Sequence, residues 1–271
     1  MPPWEGKSMY YLRLIASFVR VSAQEELAYR SNLFVSLLNS LLNLGTGVLG
    51  IVILFNQVKA INGWNMPETL ALLGVYLMLN ALRGLFIGPS LNALAGLDGE
   101  IWQGRFDFTL LRPVNAQFLS SFRRWRLLSC FDLLLGIGVL IVAILPLLHT
   151  LPLFHIISFF VTLCASIIVL YSILITFAAL IFWSPGFLFT WVFDGLFQVA
   201  RYPIGLYPNW LQFILTWLIP IGIMTTVPAQ AINGQLSAVV LVEDVVIALF
   251  LLVTATLVFQ IGLRRYTSAS S

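Results

Sequence analysis

Few residues in this chain invite a chemical reading. Gly6-Lys7-Ser8 matches the end of the phosphate-cradling loop GxxxxGK[ST], but Met1 stands where the first glycine belongs. The stretch is therefore read as a tail, not a nucleotide site. Cys130 and Cys164 stand alone in apolar runs, and small buried residues are expected there rather than a disulfide or metal pair. His149 and His155 flank Pro152 in a predicted turn with no Cys or Glu at ligand spacing, so no metal is expected. The sequence has no HExxH, no GxSxG and no paired carboxylates on one helical face, which argues against a membrane-embedded enzyme. What remains is Asp132, Asp194, Glu243 and Asp244, in or beside apolar stretches. Such groups can relay protons or hold ions, and they carry the alternative reading, an ion-coupled secondary transporter or channel. Pairing at the interface, Asp132 with nearby arginines and Asp194 with Arg201, is the cheaper assignment.

The medium around these residues is clear from composition. Of 271 residues, 60% are hydrophobic and only 9% charged, and the mean hydropathy is +0.97. Soluble domains carry about 25% charged residues, and so few charges cannot cover a water-facing surface. The chain is therefore read as an all-α integral membrane protein. The net charge of +3 is too small to suggest a nucleic-acid partner; membrane lipid is the expected surroundings.

Hydropathy places six spans at 33–55, 68–87, 127–148, 156–183, 187–200 and 239–262, in one membrane domain covering 1–271. Ahead of them, residues 9–29 carry Arg13, Ser17, Arg20 and Gln24 at helical period. That single polar stripe predicts an amphipathic helix lying in the headgroup plane. Arg13 and Arg20 also interrupt any signal-peptide core. Asn39 and Asn43, one turn apart in the first span, are read as helix–helix hydrogen-bonding groups. Between the last two spans, residues 202–235 contain Pro203, Pro208, Pro220 and Pro228. The apolar piece 210–219 between them, which includes Trp210, is too short to cross, so an outer re-entrant helical segment is predicted.

Sorting the basic residues by this topology leaves twelve on one side and two, Lys59 and Arg201, on the other. The excess of Lys and Arg on cytoplasmic loops then puts both termini in the cytoplasm. On the same side lies the one long polar interruption, 96–126. It holds Arg105, Arg112, Arg123, Arg124 and Arg126 with Asp98, Glu100 and Asp107, and it is the obvious place to meet a soluble partner.

The loop reads Gly96-Leu97-Asp98, then Ile101, Gly104, Phe106-Asp107, Leu110-Leu111 and Arg112-Pro113-Val114-Asn115. The outer segment reads Tyr207-Pro208, Trp210-Leu211, Leu215-Thr216, Ile219-Pro220 and Val227-Pro228-Ala229. Both runs, with the entry helix and six spans, resemble ABC-2 type permeases, the membrane subunits of bacterial ATP-driven exporters whose ATPase is a separate chain. The loop run is similar to that subfamily's IxxGxxDxxLLRPVN pattern.

The resemblance implies a non-catalytic transport subunit of the inner membrane that forms half of an export path. It implies ABC ATPase subunits as partners, with a second permease, identical or related. No cofactor is expected in this chain, since ATP and Mg would sit on the ATPase. It also implies a coupling helix around 96–107, with Ile101, Trp102 and Phe106 as apolar anchors. Asp98, Glu100 and Arg105 would form its polar rim, and Gly96, Leu97, Gly104, Asp107, Arg112 and Pro113 would complete the ATPase-coupling site. Cargo would pass at the interface of two permeases, along spans one, two and five.

Overall fold

The structure, a computed structural model, describes residues 5–28, 30–96, 99–147, 152–184 and 189–266. Among these no strand occurs beyond one isolated bridge between Ile61 and Trp64. That bridge closes a turn in which Asn62 and Gly63 both take positive φ, 48° and 84°, the conformation an Asn-Gly pair adopts at least cost.

The chain begins with α1 (Glu5–Ala28) and α2 (Arg30–Gln57). Next comes α3 (Met66–Leu82), which continues through a π-helical turn, Arg83–Ile87, into α4 (Gly88–Ala95). α3 starts on a capping box: Asn65 accepts from the Glu68 amide and Glu68 accepts from the Asn65 amide, both at 3.0 Å, satisfying two orphan donors at once. The loop carries the short α5 (Phe106–Leu110) and α6 (Ala116–Phe122) before α7 (Ser129–Ile144) and α8 (Leu153–Ala179). The remaining helices are α9 (Phe189–Phe197), α10 (Asn209–Phe213), α11 (Ile221–Ile232) and α12 (Ala238–Arg265).

Among the described residues, four helical stretches are long and apolar enough to cross a membrane: Asn32–Gln57, Met66–Ala95, Leu153–Phe182 and Ala238–Arg265. The bent pair Asn209–Leu218 and Ile221–Ile232 would make a fifth if it were one span. α7 is shorter, at 16 residues, but it is locked to α3 by two glycines. A Cβ on Gly74 would lie 2.8 Å from the Leu140 nitrogen, and one on Gly136 would lie 2.8 Å from the Met78 nitrogen. Close backbone approach through small residues is how helices associate where lipid competes for apolar contact. At the other side of the core, α8 packs on α12 and α11. Its Ser158, Thr162, Ser166, Ser172 and Thr176 turn their hydroxyls back onto their own helix carbonyls.

The stretch expected as a fifth span, 187–200, is described only from residue 189 onward. Within the described residues α9 covers nine residues, a rise of about 14 Å against a hydrocarbon core of about 30 Å. A 3₁₀ turn, Gln198–Arg201, and an extended Tyr202 come next, because Pro203 disfavours helix at the residue before it. Even so the chain travels far. Asp194 meets Arg83, and Gly205 accepts a hydrogen bond from Asn62 at the α2–α3 turn, 2.6 Å.

From there the chain turns inward and comes back. α10, extended by a π turn over Ile214–Leu218, meets α11 at 91° across Ile219-Pro220. The break lies beside Thr176 on α8 and Leu251 and Val258 on α12. Beyond α11, Gln235 donates to Glu68 at 3.0 Å, back at the α2–α3 end. Pro208 caps α10, Pro220 sits at the break and Pro228 is buried inside α11. Trp210 is exposed.

Candidate functional site

The polar loop is built outward from the end of α4. Gly96 donates to Asn92 O (2.8 Å), Gly99 to Gly96 O (2.9 Å) and Glu100 to Ala93 O (2.9 Å). A Cβ on Gly99 would meet Leu94 O at 2.5 Å, so this tight return admits glycine alone. Gly104, at φ 65°, supplies a left-handed turn and delivers the chain into α5. Leu97 and Asp98, expected in the site, lie outside the described residues.

Two of the residues expected as apolar anchors point inward. Phe106 is fully buried, with its ring 5.2 Å from Tyr266 and 5.8 Å from Phe182, and Ile101 is 9% exposed. Both join the core cluster, Phe106 at the ends of α8 and α12. Glu100, expected at the rim, is also internal: it pairs with Arg123 and accepts from Thr109 Oγ1 at 2.7 Å. Asp107 faces the Tyr266 phenol, and burial together with that negative charge pushes the phenol pKa up.

What the loop shows outward is a different apolar set. Trp102 is 50% exposed, Phe108 67% and Leu111 80%, with Leu110 beside them. Arg105, Arg112 and Pro113 are exposed among them. The Arg-Pro-Val-Asn run is a turn and a cap. Val114 donates to Arg112 O (2.8 Å), and Asn115 accepts from the Phe118 amide (3.0 Å) to start α6.

Several clamps tie this loop to the bundle. Tyr171 on α8 meets Gln117 (3.1 Å) and Ser121 (2.9 Å) of α6. Ser90 of α4 exchanges two hydrogen bonds with the Arg124 backbone, 2.9 and 3.0 Å. The π turn frees Leu85 O, which accepts from the Arg126 amide at 2.7 Å. α1 lies along the same segment. Tyr11 packs edge-on to Phe118 (4.7 Å); Ser22 accepts from the Trp125 amide (3.1 Å) and Glu26 from the Leu128 amide (3.2 Å). Burial raises the Glu26 pKa, opposed by hydrogen bonds from Leu128 and Leu127 and by Arg126. The expected stripe Arg13, Ser17, Arg20 and Gln24 is exposed on the free side of α1.

A polar cleft of about 480 Å³ opens above this junction. α2 lines it with Asn32, Ser36, Asn39, Ser40 and Asn43, and Asn80, Arg126, Asp132 and Glu26 face it from other elements. Of this stripe Asn39 and Asn43 carry the signal in sequence; Ser36 and Ser40 look unremarkable in an apolar run, and Asn32 lies just ahead of it. Asn43 also accepts from Arg201, whose guanidinium lies over the Tyr76 ring at 5.3 Å. Asp132 shares the cleft with Arg126.

The other intramembrane charges rearrange the expected pairings. Asp194 pairs with Arg83, not with Arg201, and Arg83 lies over the Phe193 ring at 5.5 Å. The exchange results from α9 crossing α3 at the π turn, a contact 111 residues apart in sequence. Glu243 is exposed. Asp244 is buried, with no partner on either carboxylate oxygen among the described residues. Cys130 and Cys164 are exposed, not buried as expected; both lie on helix faces turned away from the core, where a small thiol suits an apolar medium. No cluster of three potential metal ligands occurs among the described residues. His149 lies outside them.

Against known proteins, a family model described as an ABC-2 family transporter protein matches residues 41–270. No curated protein and no solved structure matches the chain.

Proposed function

The chain belongs to the ABC-2 transporter family, and from that premise we propose that it is the membrane-spanning subunit of an ATP-driven exporter, coupled through residues 96–126 to a separate ATPase. The observation that carries this reading is the ridge of Trp102, Phe108 and Leu111. It stands out from a loop in which Ile101 and Phe106 are sunk into the core. Apolar residues ringed by Arg105 and Arg112 have the anatomy of a docking patch, with aromatic and Arg groups central. The clamps to α1, α8 and α12 give the patch a rigid mount. A push there is carried to α2 through α1 and to the bundle through Tyr171, biasing one packing of the helices over another.

In this reading ATP and magnesium are bound by the ATPase, two permeases and two ATPases form the working unit, and the second permease is identical or related. The basic end faces the cytoplasm of a bacterial cell, as the distribution of Lys and Arg supports. Six crossings are completed by the path from α9 to Gly205, with α10 and α11 re-entering from outside. Cargo moves along the Asn and Ser stripe of α2, a lining that suits an amphiphile.

The test is affinity purification of the tagged full chain from native membranes in mild detergent. Wild type is expected to bring down a chain with a nucleotide-binding fold, identified by mass spectrometry. The double variant Trp102→Asp, Leu111→Asp should lose it while remaining monodisperse. Retention of the ATPase by that variant refutes the docking patch.

A further inference from the structure

A second crevice, of about 240 Å³, lies where the α10–α11 pair meets α12. Its walls are Ile223, Val227, Val240 and Ile247, with the indole of Trp217 at one side. Asp244 lines it at 2% exposure, and neither carboxylate oxygen has a hydrogen-bond partner among the described residues. Thr226, also lining it, has a buried hydroxyl without a partner among the described residues, and Gln230 stands one turn further along α11. Buried polar groups are nearly always paired, and an unpaired buried carboxylate is the costliest exception.

Among the described residues the crevice is lined by no Lys, Arg or His, so they do not supply the missing partner. A metal ion fits poorly: among the described residues no three ligands cluster. Glu243 and Asp244 are also consecutive on a helix, about 100° apart around its axis, so they do not converge on one ion. An ammonium carrying hydrocarbon fits each feature. Its charge meets Asp244, its N–H or polarised C–H groups meet Thr226 and Gln230, and its apolar substituents lie along the Ile and Val wall. Trp217 offers an aromatic face to the cation, and exposed Glu243 draws positive charge to the mouth. The volume falls below that of whole drug-sized ligands, so a headgroup is held rather than a complete molecule.

We propose that this crevice is a binding site for the substituted ammonium group of an amphiphile, with Asp244 as its counter-ion. The group comes from a lipid headgroup or from a free organic cation, and the assignment is independent of the docking loop.

The test is modification of the full chain by N,N′-dicyclohexylcarbodiimide, which attacks protonated carboxyls in apolar surroundings, read by peptide mass mapping. The protein is held in nanodiscs of phosphatidylglycerol alone. One arm adds phosphatidylcholine to the bilayer; the other adds hexyltrimethylammonium, whose quaternary nitrogen cannot consume the reagent. Asp244 should be modified in the first discs, with the label absent from Asp244→Asn. Modification should fall severalfold in the lipid arm if the source is a headgroup, or in the soluble arm if it is a free cation. Equal ionic strength of sodium chloride should give no protection. Trp217→Ala should weaken protection by about fivefold. Protection by neither ammonium, equal protection by sodium, or no modification of Asp244 in phosphatidylglycerol each overturns the proposal.

Discussion

Glu100 and Asp244 are both acids withdrawn from water, at opposite ends of the bundle, and the protein treats them oppositely. Glu100 is closed by Arg123 and Thr109 inside a loop stitched to four helices. Asp244 lines an open crevice with no hydrogen-bond partner among the described residues. The loop is rigid, as the proposed docking of an ATPase requires. The crevice leaves its polar groups free, as the proposed ligand site requires. The same chemical group thus sits in two environments that differ in whether its partner lies among the described residues.

The sharpest way to break this contrast is to attack the loop from inside. Phe106→Ala should cost about 3–5 kcal/mol of stability, seen as a lower melting temperature and faster proteolysis between α4 and α6. Trp102→Ala should leave both unchanged. Equal damage from the two would erase the distinction between mount and ridge. Next in size, Gly74→Val should force α3 and α7 apart at a cost of about 1–3 kcal/mol or more, read as the same loss of melting temperature with the loop intact.

The two acids themselves give the third comparison. Glu100→Gln should destabilise by about 1–2 kcal/mol, since it leaves Arg123 without its charge partner in a half-buried site. Asp244→Asn should be neutral or stabilising, because it removes an unpaired buried carboxylate. Parallel thermal melts in phosphatidylglycerol nanodiscs free of ammonium decide it, and destabilisation by Asp244→Asn there would mean that the chain itself supplies a partner.

The smallest expected effect is on α1. The folded-state pKa of Glu26 is raised by burial, so the folded form favours the protonated carboxyl. Docking of α1 is therefore strongest below the ordinary carboxylate pKa and weakens as pH rises through the raised value. Amide exchange around Trp125 and Leu128 should slow on acidification across that window, and Glu26→Gln should remove the dependence.

Much of the fold is legible in sequence because the signals are local. Asn65 and Glu68 announce the start of α3, the apolar runs announce the long helices, and the prolines from Pro203 to Pro228 announce a broken segment. Arg112 to Asn115 reads as a turn because Pro113 fixes the bend and Asn115 caps α6. The loop's inside and outside are not legible. Ile101, Trp102, Phe106, Phe108 and Leu111 are all apolar in a stretch with no period, and their burial is set by the ends of α8 and α12 far along the chain. The run 187–200 reads as a span for a related reason. Hydropathy carries no trace of the Arg83–Asp194 pair or of Pro203 arresting the helix. Asp244 stands out as an intramembrane acid, but its lack of a partner is a property of the packing alone.

The docking claim is tested most directly by photocrosslinking from single positions of the loop in native membranes. A benzoylphenylalanine at Leu111 or Phe108 should capture the ATPase, in yield that changes when ATP is added. The same group at Phe106 should crosslink only within the chain, to α8 or the end of α12. Capture of the ATPase from none of the outward positions, or equally from Phe106, would contradict the claim.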